Sequence, residues 1–212
     1  MYLSRVVIDK NNRKKIKDLT HVGAYHAWVE DSFPEECDLE ERTRKLWRID
    51  YLNDNAYLLL VSPNQPSLEL LEKYGVENSA ESKEYGTFLA GLHNGMKLNF
   101  RVTLNPVISK SIPNSHQRGR VLPHISLDHQ RKFLLDRSKV NGFDLQEEAF
   151  TIVERGYALF KKKGQKDLRL VKATYEGTLT VIDEQRFREM LIKGLGKKKA
   201  YGFGLMTVIP YR

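Results

Sequence analysis

The sequence contains a single cysteine, Cys37, among 212 residues. One cysteine can form neither an internal disulfide bond nor a cysteine-rich zinc site. Residues 30–41 around it include seven acids and no base. Because neighbouring carboxylates disfavour the thiolate, Cys37 is interpreted as incidental to function.

Long apolar runs are also missing. No stretch approaches the roughly 20 apolar residues that a transmembrane helix needs. The N-terminus lacks the charged start and apolar core of a signal peptide and is predicted to be a strand. We therefore expect a cytoplasmic protein with no membrane partner.

The sequence has no H-E-x-x-H element, and its acidic residues do not show the spacing of a metal site. We accordingly expect no metal and no other cofactor. Of the six histidines, His93, His116 and His129 are expected in a turn, in a loop and on a helix surface.

Positive charge is abundant but concentrated in one segment. Residues 155–199 hold 13 bases and 5 acids, which accounts for the whole formal net charge of +8. Two lysine triplets are interleaved there with aromatic residues such as Tyr157 and Tyr175. Lysines can neutralise phosphates while aromatic rings stack on bases, so nucleic acid is the favoured partner. A solvated lysine-rich surface is the alternative.

A glycine-rich segment follows, over residues 194–205. It combines four glycines with the second lysine triplet: Gly194, Gly196, Lys197, Lys198, Lys199, Gly202 and Gly204. Glycine permits a positive φ and close approach of the backbone to a ligand. We predict that these residues bind RNA, although such a segment can also be an ordinary turn.

The first half of the chain predicts the order βαββαβ. Strands are expected at residues 2–9, 43–52, 56–62 and 84–90. Helices are expected from about residue 11 and at 66–74. The Asn53-Asp54-Asn55 run between the middle strands favours a tight turn.

The second half repeats this order. The patterns predict strands at 96–109, 150–162, 168–181 and 200–209, with helices at 126–140 and 184–193, the latter capped by Asp183. The chain is therefore predicted to be α+β, with two tandem ferredoxin-like, RRM-like domains at 1–94 and 95–212.

One histidine, His26, differs from the others in its surroundings. It lies among Tyr25, Trp28 and Phe33-Pro34, close to Gly23. Such a residue can be a packed core histidine. It can also act as a general acid or base near neutral pH, which is sufficient to cleave RNA because the 2′-hydroxyl is a built-in nucleophile.

The ordered motifs of the chain resemble CasE, the repeat-processing endoribonuclease of the type I-E CRISPR Cascade complex. They include the opening Met1-Tyr2-Leu3-Ser4-Arg5-Val6, the His26…Phe33-Pro34 block and Phe100-Arg101-Val102…Asn105-Pro106. Residues 175–181 (YEGTLTV) and the glycine-rich segment complete the set. The resemblance spans nearly all of the chain.

The resemblance implies a metal-independent endoribonuclease with two ferredoxin-like domains. Such an enzyme binds the repeat stem-loop of CRISPR precursor RNA and cuts at the 3′ base of the stem, giving mature crRNA and a 2′,3′-cyclic phosphate. The product is usually retained with the other Cascade subunits. His26 is then the general acid or base. Some members have tyrosine three residues earlier, where this chain has Gly23, so the adjacent Tyr25 is the candidate second catalytic residue.

A basic hairpin is predicted around residues 160–172. A-form RNA has a major groove too deep and narrow for ordinary readout, so such a hairpin could enter only where the duplex ends. Its candidate RNA-binding residues are Lys161, Lys162, Lys163, Lys166 and Arg169. Arg118 and Arg120 form a second candidate phosphate clamp, with a plain surface loop as the alternative.

Two other functions remain open. His124-Ile125-Ser126-Leu127 matches one element of the two-histidine RNA phosphoesterases, but those enzymes need two such elements and the chain has one. The stronger alternative is a noncatalytic RNA-binding subunit of a ribonucleoprotein complex.

Overall fold

The first half of the chain forms one four-stranded antiparallel sheet. The structure, a computed structural model, describes residues 1–110, 120–161 and 164–211. Its first elements are β1 (Tyr2–Ile8), α1 (Val22–Asp31), β2 (Leu46–Leu52), β3 (Asn55–Ser62), α2 (Leu68–Leu71), β4 (Glu81–Glu84) and α3 (Gly86–Ala90). The strand order is β2-β3-β1-β4.

The second half repeats this topology with longer strands. Its elements are β5 (Lys97–Leu104), β6 (Val107–Lys110), β7 (Arg120–Pro123), α4 (Leu127–Ser138), β8 (Phe143–Asp144), β9 (Phe150–Phe160), β10 (Leu168–Val181), α5 (Glu184–Lys193) and β11 (Met206–Pro210). The main sheet has the order β11-β5-β10, with β9 and β8 both paired to the far side of β10, while β6 and β7 pair separately. The four-stranded sheet of the first half and the main sheet of the second half confirm the predicted α+β class and the two tandem ferredoxin-like domains.

Local sequence signals determine several element boundaries. Asn53 and Asp54 adopt positive φ angles of 47° and 62°, which forms the tight turn between β2 and β3. The side chain of Ser126 caps α4 by accepting the backbone N–H of His129, and Asp183 caps α5 in the same way. The predicted spans of β10 and α5 are confirmed residue for residue.

Two predictions for the N-terminal half are wrong. Residues 11–18 form turns, and the first helix begins only at Val22, where His21 Nδ1 accepts the N–H of Gly23. The polar 11–18 segment offers no continuous apolar stripe to bury, whereas α1 buries Trp28 and Val29. The fourth strand, predicted at 84–90, lies earlier as β4 and ends at Glu84. Most of the predicted span is instead α3, since Tyr85 and Leu89 are buried four residues apart, at helical spacing.

Two long strands predicted for the C-terminal half are shorter than expected. The strand predicted at 96–109 ends at Leu104, because Pro106 has no N–H to donate to a ladder, and the chain resumes as β6. The final strand starts at Met206, because Lys198, Gly202 and Gly204 adopt positive φ angles incompatible with a strand. The predicted division at residue 94 remains a prediction.

The cores of the two halves are in contact. One buried cluster is centred on Trp28, Trp47 and Leu58. The other is centred on the second sheet but also contains Leu46 and Val61 from β2 and β3. The chain therefore packs β2 against the C-terminal half, which brings α1 close to the glycine-rich segment.

Candidate active site

His26 lies on α1 with one third of its side chain exposed. Its Nδ1 is 3.8 Å from Oε1 of Glu30, one helical turn further along the same face. Its ring contacts the ring of Tyr201 edge-on, with the centroids 5.5 Å apart. The imidazole is thus held between an acid of its own helix and an aromatic residue of the glycine-rich segment.

The acid beside His26 belongs to a chain of buried charges. Lys45 Nζ lies 3.2 Å from Glu30 and 2.7 Å from Glu36. Burial alone would raise the pKa of Glu36, but hydrogen bonds, led by the one from Lys45, outweigh it and hold that pKa at about 2. Lys45 and Arg42 both contact Oε2 of Glu30, while its Oε1 faces His26.

The electrostatic surroundings favour neutral His26. Burial lowers the pKa of the imidazole most strongly, and the positive charges of Lys45 and Arg42 lower it further. The Glu30 carboxylate acts in the opposite direction but is outweighed. At neutral pH the imidazole can therefore accept a proton.

Tyr25 points into a different environment. Its ring stacks on Trp47 at 5.8 Å and approaches Trp28 at 6.3 Å, within the N-terminal core cluster. Burial raises the pKa of its hydroxyl, and the neighbouring Tyr51 adds to this effect. Neighbouring residues of a helix project about 100° apart, which accounts for the separation of Tyr25 from the His26 face.

The glycine-rich segment owes its glycines to internal packing. Gly202 has a φ of +81°, and a Cβ there would lie 2.7 Å from the Trp47 ring. At Gly204, with a φ of +88°, a Cβ would lie 2.5 Å from the carbonyl oxygen of Leu195. Gly194 and Gly204 are buried, while Gly196 is half-buried. These positions shape the loop that presents Tyr201 to His26.

The three lysines of this segment point in different directions. Lys197 is exposed and donates to Ser109 Oγ at 3.0 Å. Lys198 lies near the Tyr201 ring, with its Nζ 5.8 Å from the centroid. Lys199 donates to the carbonyl oxygen of Lys193, and burial lowers its pKa. Lys197 and Lys198 are thus the members with exposed side chains.

The basic hairpin begins beside the candidate site. Phe160, the last residue of β9, contacts Tyr201 with the ring centroids 4.7 Å apart. Lys161, Lys166 and Arg169 are exposed beyond it. Lys162 and Lys163 lie outside the described residues. The hairpin, Tyr201 and His26 therefore form one continuous surface.

The second predicted clamp is only partly described. Arg120 is exposed at the start of β7, where it pairs with Lys110 of β6. Arg118 and His116 lie outside the described residues. Among the described residues, no helix is long and apolar enough to cross a membrane.

Sequence reasoning did not place Glu30 or Tyr201 beside His26. Glu30 carried a usable signal, because an acid four residues after a histidine on a helix lies on the same face. Tyr201 lies 175 residues from His26 along the chain, and only the packing of the two halves brings their rings together.

Known proteins are similar to this chain in sequence and in fold. A family model described as CRISPR associated protein matches residues 1–210. The CRISPR-associated endoribonuclease Cse3 of Thermus thermophilus is 25% identical over 99% of this chain and 100% of its own length. A structure of CRISPR endoribonuclease Cse3 bound to a 19-nucleotide RNA superposes with a TM-score of 0.82 at 24% identity, covering 99% of both chains.

A chain of a CRISPR RNA-guided surveillance complex in its pre-nicking state has the same fold. Its TM-score is 0.70 at 20% identity, with 100% of both chains covered. At these identities the structural matches establish the fold alone. The family model, by contrast, matches nearly the whole length of the chain and establishes its family. The chain belongs to the CRISPR-associated protein family, in agreement with its resemblance to CasE.

Proposed function

We propose that this protein is an endoribonuclease that binds the repeat stem-loop of CRISPR precursor RNA and cleaves at the 3′ base of the stem. The observation that carries the proposal is the position of His26. Its partly exposed imidazole, whose pKa is lowered by burial, lies at the junction of Tyr201, Phe160 and the basic hairpin. A core histidine without function would be expected to be enclosed on all sides.

The proposed chemistry uses the RNA itself as the nucleophile. Neutral His26 accepts the proton of the 2′-hydroxyl, and the 2′-oxygen bonds to the adjacent phosphorus as the bond from phosphorus to the 5′-oxygen breaks. The departing 5′-oxygen takes a proton from water, and the protonated imidazole releases its own to solvent. The products carry a 2′,3′-cyclic phosphate and a 5′-hydroxyl. These proton transfers need no metal ion, so the proposed reaction is metal-independent.

RNA binding is assigned to the basic side chains around this junction. Lys161, Lys166 and Arg169 are exposed on the hairpin, and Lys162 and Lys163 are included on sequence alone. Lys197, Lys198, Lys199, Arg118 and Arg120 are proposed to contact further phosphates. Gly194, Gly196, Gly202 and Gly204 contribute by shaping the loop. We retain Tyr25 as a candidate that supports the site through its packing on Trp47.

The proposed partners follow from the relatives. One similar chain is part of a CRISPR RNA-guided surveillance complex. We accordingly propose that the cleaved RNA stays bound and that this chain joins the other Cascade subunits.

Cleavage of cognate repeat RNA by the purified protein in EDTA tests the function and the metal independence together. We expect full cleavage, with 2′,3′-cyclic phosphate and 5′-hydroxyl termini identified by mass spectrometry. A repeat RNA with a 2′-deoxy nucleotide on the 5′ side of the scissile phosphate is the matched control and should stay intact. Loss of cleavage in EDTA with recovery in magnesium contradicts the mechanism. Binding without cleavage under all conditions favours a noncatalytic RNA-binding subunit.

A further inference from the structure

A basic cavity lies near the start of the glycine-rich segment, whereas His26 contacts Tyr201 near the end of that segment. Its volume is about 770 Å³, within the range of about 300–1,000 Å³ typical of ligand sites. The β6–β7 pair forms one wall, the face of α4 from His129 to Arg137 forms another, and Lys197 also lines the cavity. The cleavage step proposed above does not use this cavity, although Lys197 in its lining is among the proposed phosphate contacts.

Two imidazole rings form an aromatic surface within it. His124 and His129 stack with centroids 5.6 Å apart and planes inclined by 26°. The backbone of His124 is fixed on both sides, by its N–H to Pro106 and by Gln130 Nε2 to its carbonyl oxygen. Burial lowers the pKa of His124, and the charges of His129 and Arg137 lower it further. An aromatic ring on a fixed backbone is suited to stacking on a nucleobase.

The charge of the cavity favours an anion. Four cationic side chains line it, against a single acid: Lys110, Lys132, Arg137 and Lys197 against Asp136. Asp136 is itself paired with Lys132 at 2.9 Å. Arg137 is fixed by stacking over the Phe133 ring and by donating to a backbone carbonyl oxygen. The remaining positive charge is therefore uncompensated within the lining.

The apolar part of the lining is exposed to solvent. Ile108 is 42% and Ile125 is 65% exposed, and both line the cavity beside the histidines. An apolar and aromatic surface next to uncompensated cations matches the two parts of a nucleotide, its base and its phosphate. An inorganic anion alone would leave the apolar part uncovered.

The glycine-rich segment connects the cavity to the candidate active site. Lys197 lines the cavity, and Tyr201, four residues later, contacts His26. Four residues span at most about 14 Å. A strand whose scissile phosphate lies at His26 could therefore reach this cavity within a few nucleotides.

We propose that this cavity binds a nucleotide of the single-stranded RNA that flanks the base of the stem. The base contacts His124 and His129, and its phosphate contacts Lys197 and Arg137. This inference rests on the proposed function, because it assumes that the stem-loop is bound at His26. The nucleotide can come from the 5′ or the 3′ flank, which share this chemistry.

The test compares three RNAs that carry a 2′-deoxy nucleotide at the cleavage site: the bare stem-loop, the stem-loop with a 5′ flank, and the stem-loop with a 3′ flank. In filter binding, we expect the wild-type protein to bind one flanked RNA about tenfold more tightly than the bare stem-loop. His124→Ala should remove this gain and leave affinity for the bare stem-loop unchanged. Lys132→Glu reverses the charge of an exposed side chain in the lining and should also reduce the gain.

Lys139→Glu is the matched control, since Lys139 is exposed just beyond the same helix and outside the cavity lining. It should keep the full gain. A 4-thiouridine in the preferred flank should crosslink to residues 120–137. Equal affinity of the wild type for all three RNAs, or an undiminished gain in both cavity variants, overturns the inference while the proposed function stands. Failure of the wild type to bind the bare stem-loop overturns both.

Discussion

At the scale of single residues, the candidate site depends on an imidazole whose surroundings are polar on one side and aromatic on the other. Residue types near His26 in the sequence indicated the aromatic side, through Tyr25 and Trp28. The structure shows that these two rings instead pack in the core, and that Tyr201 supplies the ring beside the imidazole. The local sequence could indicate which histidine is the candidate catalytic residue. It could not indicate every side chain around that histidine, because Tyr201 comes from a distant part of the chain.

Replacing His26 with alanine should greatly reduce the rate of cleavage and leave RNA binding nearly unchanged. Loss of the general base is expected to reduce the single-turnover cleavage rate about 10²–10⁴-fold. Affinity for the repeat RNA should stay near that of the wild type, since it is assigned to lysine and arginine contacts elsewhere. Cleavage assays and filter binding, with folding checked by circular dichroism, measure these effects. Cleavage at the wild-type rate would make His26 a packing residue, as would a variant that neither folds nor binds.

Replacing Glu30 with glutamine should shift the pH dependence of cleavage toward lower pH. The carboxylate raises the pKa of His26, so its removal lowers that pKa. A general base is active when deprotonated, and the rising limb of the pH–rate profile therefore moves to more acidic values. The measurement is single-turnover cleavage between about pH 4 and pH 8. Glu35→Gln, which removes the same charge from an exposed position, is the control and should leave the limb in place. A limb that is unmoved in both variants contradicts the proposed coupling.

At the scale of elements, prediction succeeded where a local signal determines the structure. The caps at Ser126 and Asp183 and the Asn53-Asp54 turn are satisfied by hydrogen bonds or dihedral angles a few residues away. Prediction failed for residues 11–18 and for α3. Secondary structure there depends on which apolar residues are buried in the core, and this is decided by contacts with distant parts of the chain. The two strands that lead into the basic hairpin also lie close to their predicted positions, at Phe150–Phe160 and Leu168–Val181.

Replacing Lys161, Lys162 and Lys163 with alanine should weaken RNA binding and reduce its salt dependence. Each lost phosphate contact is expected to lower the slope of log K against log salt by about 0.7–0.9. Cleavage at saturating protein should change much less than affinity. Filter binding across a salt series provides the measurement. The matched control is Arg13→Ala, Lys14→Ala and Lys17→Ala, which removes the same charge from exposed positions in the 11–18 turns. A slope that falls equally in both triple variants indicates a general effect of charge rather than contact by the hairpin.

At the scale of the whole molecule, the candidate site exists because two similar domains pack together. His26 comes from the first half, while Tyr201 and Phe160 come from the second. The ferredoxin-like fold of each half could be predicted from the sequence of its elements. The mutual orientation of the two halves could not be predicted, because it depends on contacts such as those of Arg48. Nothing in the sequence indicates that this charged residue of β2 is buried.

Arg48 joins the two halves through a buried guanidinium group. Only 2% of the residue is exposed, and it donates to the carbonyl oxygens of Arg101 (2.7 Å) and Leu205 (2.8 Å). Its other contacts are Asp50 at 2.6 Å and Thr207 Oγ1 at 2.8 Å. Removing one partner from a buried, hydrogen-bonded charge network typically costs about 3–5 kcal/mol. Because three of its four partners (Arg101, Leu205 and Thr207) lie in the C-terminal half, Arg48→Met should also reduce the cooperativity of unfolding.

Urea denaturation followed by two signals can detect this loss. Both tryptophans, Trp28 and Trp47, lie in the N-terminal half, and Trp47 also donates to the carbonyl oxygen of Ala200. Their fluorescence therefore reports on that half and on its contact with the glycine-rich segment, whereas far-UV circular dichroism reports on both halves. For the wild type we expect the two curves to coincide, as in a single cooperative transition. For Arg48→Met they should separate and shift to lower urea. Thr207→Val removes only one of the four contacts and should cost about 1 kcal/mol without separating the curves. If the Arg48→Met curves also coincide, the apolar contacts of Leu46 and Val61 are sufficient to hold the two halves together, and the guanidinium does not determine how His26 meets Tyr201.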